Sequence, residues 1–436
     1  MKRVFRERWS LLLFITICLI LLGPQRDSGV SAALDKNVYK NLKVFNEVLR
    51  MVEKNYVEEV DSKTLMDGAI TGVMKSLDPH SSYMTAEMYK ELEVETRGSF
   101  GGIGIEITIK KDVLTVVSPI EDTPAFHAGI KAGDYLYKID GISTKDITIM
   151  EAVKKLRGPK DSKVTLTIMR ENMTKPKDIV LTRAIINIKS VKSRIYDDNI
   201  PYIRIASFQE RTVDDLKKNM EETNAKVHAP KGLIIDLRNN PGGLLNQAVA
   251  VSDLFLKSGI IVSTKGRIKS METVSTAKDD GNEPTCPIVV LVNEGTASAA
   301  EILSGALQDN GKAIVVGTQT FGKGSVQTVI PMEDGSALKL TTAKYYTPKG
   351  RSIQAEGITP DITVKYVRAI DDKDSPDDFI REKDLKGHIE PKKENGTDPE
   401  KSLKKELPGD PLHDNQLKTA IDIIKSWDIF KKALKS

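Results

Sequence analysis

Val38, Leu42, Phe45, Leu49, Val52 and Tyr56 recur at steps of three and four, which predicts one face of an amphipathic helix. A second helical stretch is expected to about Lys75, followed by the turn signal Leu77-Asp78-Pro79-His80. Residues 85–97 are mixed and charged and read as a third helix. At Arg97 the texture changes. Arg97-Gly98-Ser99-Phe100-Gly101-Gly102-Ile103-Gly104-Ile105 is glycine-rich and leads into Glu106-Ile107-Thr108-Ile109, whose alternation predicts a strand. Short strands and one helix, 148–156, carry this module to about Leu181, roughly 85 residues in all, a usual domain size. From Tyr202 the pattern becomes strand, loop, helix, repeated: a buried strand at 233–237, a loop at 238–243, a helix at 244–256, a strand at 288–292, a helix opening near Ser298 and a strand at 313–316. Such alternation predicts an α/β core. After Val367 the chain turns charged and proline-containing as far as Pro411, which predicts a poorly ordered or extended tail. Leu417, Ile421, Ile424 and Trp427 then predict a last helix.

Composition narrows the class. The 436 residues suffice for two or three domains, and 39% hydrophobic with 29% charged residues suits a soluble globular body. Sixty-five basic residues against 61 acidic ones are close to balance, so nothing points to nucleic acid. The first 33 residues differ. Lys2, Arg3, Arg6 and Arg8 precede an apolar run from Leu11 to Leu22, the order of an export signal. The run is about 12 residues, shorter than the roughly 20 that span a bilayer comfortably. Val30-Ser31-Ala32 would serve as a cleavage site, and both cleavage and retention as a membrane anchor stay open. Cys18 lies in the apolar run and lacks the preceding small residue of a lipid-modified cysteine; Cys286 is then the single cysteine beyond the leader, so an internal disulfide is impossible there.

Asn293-Glu294-Gly295-Thr296-Ala297-Ser298-Ala299-Ala300-Glu301 joins a buried strand to a helix with Ala299, Ile302, Leu303, Ala306 and Leu307 as its apolar stripe. Read locally, Ser298 and Glu301 form an S-x-x-E capping box and need no further role. The same geometry suits a nucleophile, because the helix's unpaired N–H groups can stabilise a developing oxyanion. The G-x-S-x-G elbow of other hydrolases is absent. A serine nucleophile needs a base, and none of His80, His127, His228, His388 and His413 stands in a context arranged for catalysis. Lys323, in Phe321-Gly322-Lys323-Gly324-Ser325-Val326-Gln327, is the alternative. Lysine works as a base only when neutral; bringing its pKa from about 10.4 to about 7.5 by burial costs the charged form about 4 kcal/mol. Gln327 is placed to hold the amine through its carbonyl oxygen. Gly317–Lys323 also matches the G-x-x-x-x-G-K phosphate loop, but Gly324 replaces the required Ser or Thr. Arg238-Asn239-Asn240-Pro241-Gly242-Gly243 follows a buried strand, and its glycines suit N–H groups aimed at an anion as well as an ordinary turn. Gly102-Ile103-Gly104-Ile105 suits capture of a terminal carboxylate beside an exposed strand edge, or a plain glycine bend.

Taken together, these segments resemble the C-terminal processing peptidases, the tail-specific serine proteases that contain a PDZ domain. Leu77–Tyr83, Phe100–Ile107, Asp236–Gly243, Gly295–Glu301 and Gly317–Gln327 stand in the family's order, and the resemblance covers roughly residues 35–366. Ala300 stands where the family commonly has serine. The resemblance implies an α/β protease core of ClpP/crotonase-like sheet and helix, an inserted PDZ domain, and helical N- and C-terminal regions. With the leader read above at 1–33, it implies a helical region at 34–97, the PDZ domain at 98–185 and the core at 186–366, ahead of the charged linker and last helix read at 367–436. It makes Ser298 the nucleophile, Lys323 the general base and Gln327 its orienting partner. Gly243 and Ala299 would supply oxyanion N–H groups, Ile103, Gly104 and Ile105 would line the carboxylate site, and Arg157 would relay PDZ position to the catalytic cleft. It further implies protein or peptide substrates with free C-termini, no metal or cofactor, an extracytoplasmic location with possible membrane association, and a homodimer or higher homo-oligomer. An inactive PDZ scaffold and a phosphate-loop NTPase are the rival readings.

Overall fold

The computed structural model describes residues 36–110, 113–170, 173–197, 199–227, 229–367, 382–384 and 414–433. The expected leader therefore lies outside the described residues, as do His228, His388 and His413. Among the described residues no helix is long and apolar enough to cross a membrane. The chain divides into two compact units, Met1–Ile70 and Thr71–Ser436. In the first, the expected amphipathic helix spans Lys36–Asn55, and its apolar positions Val38, Leu42 and Phe45 are exposed.

The second unit holds a six-stranded sheet in the order Val191–Tyr196, Ile200–Ile205, Leu233–Asp236, Ile288–Val292, Ala313–Gly317 and Ile362–Thr363. Its first pair is antiparallel and the rest are parallel. Both faces are covered, which is why Leu233–Asp236 and Ile288–Val292 are buried at every position instead of alternating. On one face Ile203, Ile235, Val290 and Val292 pack with Phe255, Ala299, Leu303 and Leu307. On the other, Tyr202, Ile234, Val289 and Leu291 meet Leu417, Ala420, Ile421 and Ile424 of the last helix, Asn415–Ala433. That helix is fastened by Arg238, which donates to Asp236 (2.7 Å) and to Asp414 (2.8 Å), all three being buried. Burial opposes the Asp236 charge, but Arg238 and Arg204 hold its carboxyl below the usual range. Trp427, expected on the buried stripe, is half exposed.

A second sheet is built on the antiparallel pair Ser325–Pro331 and Ala337–Tyr346, with Ser82–Met84 against the latter, in register Ser82 with Lys339. The expected third helix spans Ala86–Arg97, capped by Thr85 and by Gly98 in the left-handed region. A separate sheet in the order Ile105–Lys110, Val113–Pro119, Tyr135–Ile139, Lys163–Met169, Lys177–Thr182 encloses its own core of Ile103, Leu114, Leu136, Ile139, Leu166 and Ile168. The helix beside it, Ile149–Leu156, is started by the reciprocal Thr148–Glu151 capping box. Where a poorly ordered or extended tail was expected, the described residues 382–384 form a 3₁₀ turn with Glu382 fully buried.

Candidate active site

Parallel strands deliver their following loops to one end of a sheet, where ligands of open α/β folds bind. Here the loops after Leu233–Asp236 and Ile288–Val292 are zipped together. Asn239 N–H donates to Asn293 Oδ1 (2.8 Å), Asn293 Nδ2 to Asn239 Oδ1 (3.0 Å), and Ala297 N–H to the Asn240 carbonyl (2.9 Å). Ser298 follows, in the residue before helix Ala299–Asp309, at φ 54° and ψ −116°. A non-glycine residue there is strained by about 1–3 kcal/mol, a cost that tends to collect at functional sites. The sharp turn brings Ser298 against Gly242: a Cβ on Gly242 would lie 2.8 Å from Ser298 Cβ and 3.0 Å from the Ala299 nitrogen. The ladder to Phe208 uses the Gly242 carbonyl and the Leu244 N–H, so it does not engage the Gly243 N–H. Ala299 is the first residue of its helix, where N–H groups have no intrahelical acceptor. The two N–H groups thus belong to neighbouring segments beside Ser298.

Glu301 is more than a cap. Its Oε2 accepts from Ser298 N–H (2.7 Å) and from Lys323 N–H (3.0 Å), and its Oε1 accepts from Thr320 Oγ1 (2.5 Å) and Gly322 N–H (2.8 Å). One oxygen therefore joins the backbones of residues 298 and 323, which are far apart along the chain. Burial pushes the Glu301 carboxyl up to about 7, against four hydrogen bonds that favour its charged form. Tyr345 closes the same space. Its N–H donates to the Gly324 carbonyl (2.7 Å) and its hydroxyl meets the Ser298 side chain. Burial pushes that phenol up to about 12, so it stays neutral at ordinary pH.

Lys323 is largely buried. Desolvation and the cation of Lys339 bring its amine down to about 8, against the opposing pull of Glu382, Glu301 and Asp78. Among the described residues no hydrogen bond joins Ser298 Oγ to Lys323 Nζ; the hydroxyl's contact is Tyr345. Gln327 Nε2 donates to Ser325 Oγ (2.8 Å) and approaches Thr341 Oγ1 (3.4 Å), which leaves its carbonyl oxygen as the end an amine would meet. Thr341 in turn donates to Asp78 Oδ1 (3.1 Å), which also accepts from His80 and Ser81 N–H groups. The segment after Lys323 is a strand, whereas a phosphate loop opens a helix.

In the smaller sheet, Gly104 sits at φ 77° with Thr123 where a Cβ would be. The Ile103 and Gly104 carbonyls accept from Ala125 and Ile120 N–H groups (both 2.9 Å). In a planar trans peptide the Gly104 and Ile105 N–H groups then point the opposite way. Ile105 opens the edge strand of its sheet. Arg157 is not beside Ser298: its guanidinium lies 4.6 Å from the Phe100 ring centroid and donates to Glu91 (2.5 Å).

Comparison with known proteins identifies both the core and the smaller module. Family models match for peptidase family S41 over residues 199–364, for a PDZ domain over 101–181, and for the N-terminal domain of the activating protease CtpB over 24–88. The carboxy-terminal-processing protease of Bartonella bacilliformis is 44% identical over 415 residues, 94% of each chain. The carboxy-terminal processing protease CtpA of Bacillus subtilis is 38% identical over 81% of this chain and 73% of its own. Among solved structures, the photosystem II D1 C-terminal processing protease is similar at 28% identity and a TM-score of 0.44, covering 74% of this chain and 92% of its own. The chain belongs to peptidase family S41, among its carboxy-terminal processing proteases, and is a serine-type peptidase.

Sequence reasoning missed the reach of Glu301, which it took for a cap alone, and missed Tyr345 and Glu382 entirely. The Leu77–His80 turn was visible, but its partners lie hundreds of residues away.

Proposed function

We propose that this is an exported endopeptidase that captures substrate C-termini in its PDZ domain and cleaves with Ser298 as nucleophile and Lys323 as base. The observation that carries the reading is the single Glu301 oxygen shared by the Ser298 and Lys323 N–H groups. In the first step the neutral Lys323 amine takes the Ser298 proton as Oγ bonds to the substrate carbonyl carbon. Gly243 and Ala299 N–H groups receive the oxyanion. As the tetrahedral intermediate collapses, the C–N bond breaks and the lysine ammonium returns its proton to the leaving amine. Water then attacks the acyl ester, its proton passing through Lys323 back to Ser298. Gln327 orients the amine with its carbonyl oxygen. Ile103, Gly104 and Ile105 form the carboxylate cradle, with the edge strand Ile105–Lys110 pairing an extended peptide.

The charged and apolar order of residues 1–33 supports export and an extracytoplasmic location, with the leader either removed or kept as an anchor. The exposed apolar face of Lys36–Asn55 supports self-association. In this reading the leader spans 1–33, the helical region 34–97, the PDZ domain 98–185, the peptidase core 186–366, and the charged linker with the last helix 367–436. The direct experiment is to treat the protein with a fluorophosphonate and map the adduct while following casein digestion. A single adduct on Ser298, with digestion lost in parallel, is expected; digestion that continues after complete labelling, or labelling at another serine, defeats the assignment.

Arg157 supports a relay. Through Glu91 it reaches helix Ala86–Arg97, which follows Ser82–Met84, the strand paired with Ala337–Lys339 beside the base. Arg157→Ala is expected to weaken the acceleration that a C-terminal peptide gives to cleavage of a second substrate, with the fold unchanged. Equal acceleration in the variant and the parent would remove Arg157 from the mechanism.

A further inference from the structure

We infer that Glu382, paired with His80, is a positioning residue of this active site, locking both ends of the loop that carries Lys323. The inference rests on Lys323 being the base. Glu382 has no exposed side-chain surface, although the chain around it is strongly charged. Both its oxygens lie 2.6 Å from His80 Nε2. Its N–H donates to the Phe321 carbonyl (3.1 Å), two residues before the lysine. Its Oε1 accepts from Gln354 Nε2 (2.8 Å), while Gln354 Oε1 accepts from the N–H of Gly324, one residue after the lysine (3.0 Å). The loop is thus gripped before Lys323 by the Glu382 backbone and after it by the Glu382 side chain through the Gln354 amide bridge. His80 is held in turn by its own N–H on Asp78 Oδ1 (2.8 Å), in the turn that also reaches Thr341.

A buried carboxylate with an imidazole partner and an amide partner costs desolvation and is weak evidence for stability alone. Its placement gives it another use. A base displaced by about 1 Å can lose on the order of 100-fold in rate, so a lysine flanked by Phe321, Gly322 and Gly324 needs external anchors. The groups facing the Lys323 amine are Lys339 from the strand Ala337–Tyr346, Glu301 from the nucleophile helix, Asp78 from the turn, and Glu382, with His80 behind it. Of the carboxylates in this set, Glu382 exerts the largest pull toward the charged amine.

Two substitutions separate charge from grip. Glu382→Gln keeps an oxygen for Gln354 and removes the charge. Its acid limb of activity against pH should move down by about half a unit or more, with the high-pH kcat within about threefold. Glu382→Ala removes the side-chain bonds to His80 and Gln354 while keeping the backbone bond to Phe321, and kcat per fluorophosphonate-titrated site should fall at least about tenfold with KM within about twofold. A residue that only stabilised the fold would lower the melting temperature and the titratable fraction, leaving kcat per site and the limb where they were. That outcome in Glu382→Gln, which conserves shape, overturns the inference even if Glu382→Ala fails to fold. Lys323→Ala, measured alongside, tells the two failures apart: a dead Lys323→Ala with normal Glu382 variants rejects this inference alone, whereas an active Lys323→Ala rejects the base assignment beneath it.

Discussion

Ser298→Ala folds, binds peptide and cleaves nothing: its kcat falls by a factor on the order of 10⁶, as when an activated serine is removed from other serine peptidases. The fold survives because the Glu301 clamp takes the backbone N–H of residue 298, which alanine keeps. The lost hydroxyl forfeits its contact with Tyr345, worth about 1 kcal/mol. Backbone strain at φ 54° supplies a second readout. Ser298→Gly, equally inactive, relieves that strain and should melt at or above Ser298→Ala, the gain being trimmed by the greater freedom of an unfolded glycine. Calorimetry of the two variants beside a casein assay checks both statements. Retained cleavage in either variant removes Ser298 as nucleophile, and a lower melting temperature for the glycine variant removes strain as a property of the site. The inactive chain is also the reagent for trapping physiological substrates and reading their C-termini.

Lys323→Ala loses cleavage by at least about 10³-fold, because general base catalysis and activation of the nucleophile go together. Lys323→Arg is expected to be as inactive, since a guanidinium is never neutral in proteins. In the parent enzyme the rate should rise about tenfold per pH unit below about 8 and level off above it. The sign follows from the amine: only its neutral form accepts a proton, and desolvation puts the change of state near 8 instead of the usual lysine range. Below about 7, protonation of Glu301 withdraws an acceptor from its four donors and adds to the loss. A flat profile from pH 5 to 9, or full proteolysis by Lys323→Ala, would remove the lysine from its assigned role.

The core was legible where local pattern and burial coincide. Ile288–Val292 is apolar at every position because it is covered on both faces, and the expected and observed limits agree. The Gly242–Gly243 pair was legible as N–H groups aimed at an anion or as an ordinary turn, but not that Ser298 packs against Gly242. The strained serine looked like a cap because of its S-x-x-E pattern; the same Glu301 that accepts the Ser298 N–H also holds the distant lysine loop. No periodicity encodes that second use. Glu382 was illegible for a related reason. Composition averages over a segment, and a tail rich in charge conceals one residue whose partners, His80, Phe321 and Gln354, come from three separate stretches.

The Glu301 clasp sets a schedule for the newborn polypeptide. If Ser298 and Lys323 act as proposed, a ribosome that has released the chain through the helix Ala299–Asp309 has made a serine with nothing to activate it, and the lysine that follows is unsecured until residue 382 arrives. With those roles the chain stays inert until its synthesis has passed that point.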